Sequence, residues 1–158
     1  MEKKIRDSAA FRTPPPVYFF ACLCAGLLLE YLFPLHVLSL SPALRSFIGW
    51  AFILISGYFA ISAFIVLIRN KTPFNPSKST TKIVTEGSYR FSRNPLYFSL
   101  LLLLFGIAVL MVSLWLFCVI PILFTLFLFK AVKPEERYLS QKFGKEYADY
   151  AAKVRRWI

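Results

Sequence analysis

The sequence predicts an all-α integral membrane protein: four transmembrane helices, the third and fourth paired as a helical hairpin, then a C-terminal amphipathic interfacial helix, with both termini cytoplasmic. Three observations carry that prediction. The 158 residues are 58% apolar, with a mean hydropathy of +0.60, more than a soluble core of this size hides. Three apolar runs are long enough, at 1.5 Å rise per residue, to cross a hydrocarbon layer of roughly 30 Å. Lys and Arg are distributed unevenly: four precede the first run, six lie in Arg69–Arg93 and eight in Lys130–Arg156, against Arg45 alone between the first two runs.

The elements follow in order. A first span is expected over 17–33, behind Pro14–Pro16 and ahead of Pro34, since proline is tolerated at a helix start and ends a helix elsewhere. It has no convincing small-residue cleavage site, so it is read as a retained anchor. The second span is expected over 46–68. The run 95–129 would extend roughly 52 Å as one straight helix, so it is divided into spans 95–112 and 114–132, with a tight turn near Val112–Leu114. The basic segments place both termini and the loop 69–94 on the cytoplasmic side. In the tail 134–157, Leu139, Phe143, Tyr147, Tyr150, Val154 and Trp157 recur at steps of three and four. That is the stripe of an amphipathic helix, lying flat on the interface or folding over the spans as a lid, with a kink at Gly144.

No polar segment is long enough for a separate soluble domain, so the chain is a single membrane domain, 1–158, whose chemistry takes place in or against the bilayer. The net charge of +11 is a topology signal and an attraction to anionic headgroups. No basic patch is interleaved with a recognition fold, so no nucleic-acid partner is expected. Cys22 and Cys24 stand two apart and point to different sides of a helix, and Cys118 is remote; neither a disulfide nor a metal site is expected. Glu30 falls inside a span one turn before Pro34, and snorkelling to the outer interface is expected of it. Pro121 is expected to kink the fourth span.

Two polar patches remain as candidates for chemistry. In Gly87-Ser-Tyr-Arg-Phe-Ser-Arg-Asn-Pro95, Gly87 permits a turn, and Arg90 and Arg93 supply cations suited to a carboxylate or phosphate. The same Asn94-Pro95 also suits a plain helix start, as N-cap and first helical residue. After the fourth span, Glu135 and Glu136 follow Pro134, where acids complement a helix N-terminus and also suit an ammonium or a ribose diol. The apolar hairpin between the patches returns both to one surface.

Taken together, G-x-Y-R-x-x-R-N-P-x-Y (Gly87–Tyr97), an apolar hairpin, and E-E-x-x-L-x-x-x-F-G-x-x-Y-x-x-Y-x-x-x-V (Glu135–Val154) resemble the isoprenylcysteine carboxyl methyltransferase and phospholipid methyltransferase family of integral membrane enzymes, over roughly Thr72–Trp157. The resemblance implies a methyltransferase using S-adenosyl-L-methionine. It implies cofactor binding by Gly87, Tyr89, Arg90, Arg93, Asn94, Pro95, Tyr97, Glu135 and Glu136, and catalytic roles for Arg93, Asn94, Tyr97 and Lys153, the last near the substrate carboxylate. Two departures stand out: Asn94 where many members have His, and Arg155-Arg156-Trp157-Ile158 where a proline is usual.

A carboxylate with a pKa of about 4 is already an anion at neutral pH and needs no general base before it accepts a methyl group. An ammonium must first lose a proton. His36 is expected on the far side of the membrane from both patches, so the expected substrate is the carboxylate of a lipophilic molecule such as an isoprenylated cysteine, entering from the bilayer. A phospholipid amine is the alternative acceptor. An NADPH-dependent membrane reductase and a non-catalytic scaffold are the alternatives of other classes. The site is expected on the cytoplasmic face of a multi-pass protein, in a prokaryotic cytoplasmic membrane or a eukaryotic endoplasmic reticulum.

Overall fold

The protein is described here by a computed structural model covering residues 14–35, 40–72 and 80–158. Its regular elements are helical, in the order α1 (Pro15–Leu32), α2 (Pro42–Arg69), a 3-10 turn (Gly87–Arg90), α3 (Pro95–Met111), α4 (Leu114–Phe127), a π-helical stretch (Leu128–Val132), α5 (Lys133–Phe143) and α6 (Lys145–Lys153). His36 and the loop residues 73–79 lie outside the described residues. Proline opens α1, α2 and α3, where its missing N–H leaves no hydrogen bond unmade. Ser41 and Ser113 cap α2 and α4 by accepting from the amides of Leu44 and Leu116, donors that would otherwise be orphaned.

Among the described residues, three helices are long and apolar enough to cross a membrane: α1, α2 and the continuous run from Leu114 to Phe143. The remaining apolar helix, α3, has 17 residues, about 25 Å of rise. The expected turn between α3 and α4 is present, with Val112 at φ +55° closing α3 and Ser113 starting α4.

The separate C-terminal helix expected over 134–157 differs at both of its ends, while the break expected at Gly144 is present. Its first half, α5, continues directly from α4 through the π-helical stretch. A ring at Pro134 clashes with the carbonyl four residues back and supplies no amide; the wider π turns lie just ahead of it, where they relieve that conflict. Its second half, α6, is a distinct helix, because Gly144 adopts φ +50°, ψ −115°, a backbone open to glycine. α6 ends at Lys153, and Val154 turns extended.

The helices pair α2 on α3, α1 on α4 and α3 on α4. Gly49 and Gly106 let α2 and α3 approach closely: a Cβ on Gly106 would stand 2.9 Å from the Gly49 carbonyl oxygen and 2.8 Å from Ile53 Cγ1. Small residues at such a crossing are how helices pack in a lipid medium, where apolar burial alone drives nothing. The core runs along the α1–α3–α4 seam, with Leu104, Ala108, Leu116, Leu123 and Phe127 fully enclosed. Facing outward are Phe47, Leu54, Ile61 and Ile68 of α2, an apolar surface suited to acyl chains.

Glu30 does not simply snorkel outward: its carboxylate accepts from Ser113 Oγ, joining α1 to the α3–α4 turn. Trp115 Nε1 donates to the Phe33 carbonyl at 2.7 Å and Leu114 N to Leu35 O at 3.1 Å, so one end of the bundle is closed by polar contacts. Cys22 is buried and Cys24 exposed, on different sides of α1 as expected. Pro121 lies within α4, and its carbonyl accepts from Thr125 Oγ1.

Candidate active site

The other end of the bundle holds a cleft between the 80–94 segment, the start of α3, and α5 and α6. It is lined by Tyr89, Arg93, Asn94, Pro95, Leu96 and Tyr97 on one side and by Glu135, Leu139, Tyr147 and Tyr150 on the other, with Leu67, Thr72, Thr80, Lys82, Ile83 and Val84 completing it.

Local backbone chemistry sets the first side. Gly87 takes φ +57°, and a side chain there would collide with Val66 Cγ2 at 2.7 Å and Ser62 Oγ at 2.8 Å. The turn is thus pressed against α2, with Ser88 N donating to Ser62 Oγ at 3.0 Å. The Tyr89 carbonyl accepts from Tyr150 Oη at 2.7 Å, which ties the turn to α6. Asn94 occupies the N-cap position of α3 but makes no side-chain capping bond. Its amide Nδ2 instead donates to the Arg156 carbonyl at 3.0 Å, and its backbone N–H is taken by Ser92 Oγ at 3.1 Å.

Ion pairs set the second side. Arg93 Nη1 donates to Tyr147 Oη at 3.1 Å and stands 3.3 Å from Glu136 Oε1. Arg156 grips the same carboxylate in bidentate fashion, Nε to Oε1 at 2.9 Å and Nη2 to Oε2 at 2.7 Å, the planar fork geometry that favours Arg over Lys. Glu135 receives Tyr97 Oη at 3.0 Å. Two buried polar atoms have no partner among the described residues: Arg93 Nε and Ser88 Oγ.

Glu135 lies beyond the apolar part of its helix, among Lys133, Glu136 and Arg137. Burial pushes its carboxyl up to about 7; the Tyr97 hydrogen bond opposes this and the nearby Glu136 reinforces it. Burial also raises the phenols of Tyr89, Tyr147 and Tyr150, so at neutral pH all three remain neutral. For Tyr147 and Tyr150 the Arg93 cation partly offsets that rise. A buried carboxyl near neutrality opposite an Arg with a spare donor can receive a zwitterion: the carboxyl takes the cationic end and the guanidinium the anionic end.

The structure thus gathers Tyr89, Arg93, Asn94, Pro95, Tyr97 and Glu135 around one cleft. Glu136 stands behind that lining, bound to Arg93 and Arg156. Gly87 shapes the turn from the α2 side. Arg90 and Lys153 are exposed and outside the lining. Arg156 and Ser92 had no signal in the sequence beyond residue type, because their roles depend on a backbone path that passes beneath Asn94.

The model of the phospholipid methyltransferase family matches residues 44–146, nearly two thirds of the chain. This chain belongs to the phospholipid methyltransferase family. The match spans nearly all of α2, the loop, the α3–α4 hairpin, α5 and the start of α6, and so takes in the described cleft residues except Tyr147 and Tyr150. Among curated proteins no sequence matches. Membership of this family implies a membrane methyltransferase, and the apolar helices agree with an integral membrane protein.

Proposed function

We propose that this protein transfers the methyl group of S-adenosyl-L-methionine to a lipophilic acceptor, and that the cofactor occupies the cleft between Arg93–Tyr97 and Glu135–Tyr150. The observation carrying this reading is that Arg93, whose buried Nε has no partner among the described residues, and Glu135 line the same cleft. The residues present fit the group. Glu135 suits its ammonium or ribose hydroxyls, Arg93 its carboxylate, and Tyr89, Tyr147 and Tyr150 with Leu67, Val84 and Leu139 offer flat and apolar walls for a purine. When bound, the cofactor supplies an electrophilic methyl carbon on a sulfonium.

The protein's part is alignment and exclusion of water. Tyr97 orients Glu135, Tyr147 and Glu136 hold Arg93, and Asn94 is held by the Arg156 carbonyl. In the reaction an acceptor oxygen bonds to the methyl carbon as the carbon–sulfur bond breaks, leaving a methyl ester and a neutral thioether, with no proton to place. With Glu135 engaged by Tyr97 and the cofactor, the remaining described cleft residues include no other carboxylate or histidine. That favours an acceptor that arrives as an anion, the carboxylate of an isoprenylcysteine-like amphiphile.

One observation favours a second reading. Glu135 is the carboxylate among the described cleft residues, held by Tyr97 Oη, and burial raises its carboxyl; released from the cofactor it would suit receiving a proton from a phospholipid ammonium, which would make the product an N-methylated headgroup. In both readings the chain crosses the membrane four times, with the cleft and both termini on the cytoplasmic face and the acceptor entering from the bilayer.

The test is incorporation of labelled methyl groups by the protein reconstituted in phosphatidylglycerol vesicles, supplied in parallel with N-acetyl-farnesylcysteine or phosphatidylethanolamine. Label in the first acceptor supports the carboxylate reading, and label in the second replaces it with the amine. Binding of NADPH without binding of S-adenosylhomocysteine would overturn both.

A further inference from the structure

The Arg93–Glu136–Arg156 cluster contains two guanidiniums and one carboxylate, and the two cations share it unequally. Arg156 takes both oxygens at 2.9 and 2.7 Å, whereas Arg93 has a single longer approach at 3.3 Å. The side chains of Arg93 and Glu136 keep only 14% and 15% of their exposure, so each charge depends on its protein partners more than on water. Arg93 is thereby left with a neutral phenol and that one longer carboxylate approach on Nη1, and a buried Nε that nothing among the described residues accepts from. A donor left so is costly unless an acceptor arrives with a ligand.

The position of Arg156 is itself fixed. Its carbonyl accepts from Asn94 Nδ2 at 3.0 Å and Ser92 Oγ at 3.3 Å, and the Arg155 carbonyl accepts from the Arg93 amide at 3.0 Å. Trp157 packs on Phe124 of the long helix, ring centroids 5.1 Å apart. Segment 155–157 therefore runs along Ser92–Asn94 and presents the Arg156 side chain to Glu136.

We propose that Arg156 is a positioning residue that holds Glu136 away from a full ion pair with Arg93, so that Arg93 keeps an uncommitted guanidinium edge for the carboxylate of the bound ligand. This rests on the cofactor reading above and adds a specific partner for the ligand's amino-acid end. Without Arg156, Glu136 is free to turn both oxygens onto Arg93, neutralising it and occupying its donors. The loss should then fall on the ligand's carboxylate and spare its nucleoside.

The experiment titrates the full-length protein in detergent micelles by calorimetry with two probes: S-adenosylhomocysteine, and methylthioadenosine, which shares the nucleoside and thioether but has no amino-acid end. Arg156→Ala should weaken S-adenosylhomocysteine about tenfold, the worth of a charge-assisted hydrogen bond, and leave methylthioadenosine unchanged. Arg156→Ala/Glu136→Gln should recover most of the loss, because an amide cannot neutralise Arg93; Arg156→Lys should fall between. Equal weakening of both probes, no weakening of either, or no rescue by Glu136→Gln overturns the inference while leaving the cofactor reading intact. Wild-type protein that binds neither probe sinks both.

Discussion

Replacing Gly87 with Ala tests how the cleft is built. An L-residue at φ +57° pays about 1–2 kcal/mol for the left-handed conformation. The added methyl would also meet Val66 Cγ2 at 2.7 Å and Ser62 Oγ at 2.8 Å. Ser62 can retreat only by giving up the hydrogen bond from Ser88 N at 3.0 Å, a further loss of about 1 kcal/mol. The sum is about 2–3 kcal/mol, concentrated in the turn that carries Tyr89 into the cleft. Thermal unfolding in detergent should show that loss, and calorimetry should show weakened binding of S-adenosylhomocysteine. Adding Val66→Ala removes one of the two collisions and should recover part of the stability, leaving the backbone cost. A Gly87→Ala protein as stable as wild type, binding ligand equally well, would refute the claim that the turn is pressed onto α2 in a conformation only glycine adopts cheaply.

Burial pushes the Glu135 carboxyl up to about 7, above its unfolded value near 4.3, so between those two values the folded protein holds more protons and its stability falls as pH rises. Glu135→Gln should therefore stabilise the ligand-free protein at pH 8 and change it little at pH 4, as read by denaturation midpoints. A cationic ligand needs the ionised form, so affinity for S-adenosyl-L-methionine should fall up to about tenfold per pH unit below 7, a dependence absent from Glu135→Gln. Gly106→Ala should lower stability by about 1–3 kcal/mol, read as a lower unfolding midpoint, since the Cβ meets backbone atoms of α2. Gly57→Ala, with nothing within 4 Å, should be neutral or stabilising in the same assay. Tyr150→Phe removes the donor to the Tyr89 carbonyl at 2.7 Å and should cost about 1 kcal/mol, with a matching rise in the dissociation constant for S-adenosylhomocysteine.

Much of this protein was legible in its sequence, because the signals concerned are local. Apolar runs, prolines at helix starts, and the break between Met111 and Leu114 follow from bilayer thickness and backbone chemistry, which act over one helix at a time. The family resemblance singled out Tyr89, Arg93, Asn94, Tyr97 and Glu135, and the fold brings them to the lining of one cleft. The continuity of α4 with α5 was not legible, since Pro134 reads as a helix start and only a π-helical stretch absorbs it. Nor was the exposure of Arg90, which shares residue type and motif with the largely buried Arg93, or that of Lys153. Only the tertiary structure decided that Glu136 belongs to Arg156 and Arg93 rather than to the cleft lining, and that Asn94 hydrogen-bonds to the Arg156 carbonyl rather than capping α3. Those pairings join residues 62 and 20 positions apart, and long-range geometry of that kind has no periodicity to reveal it: it exists only once the hairpin has folded and segment 155–157 has packed beneath Ser92–Asn94.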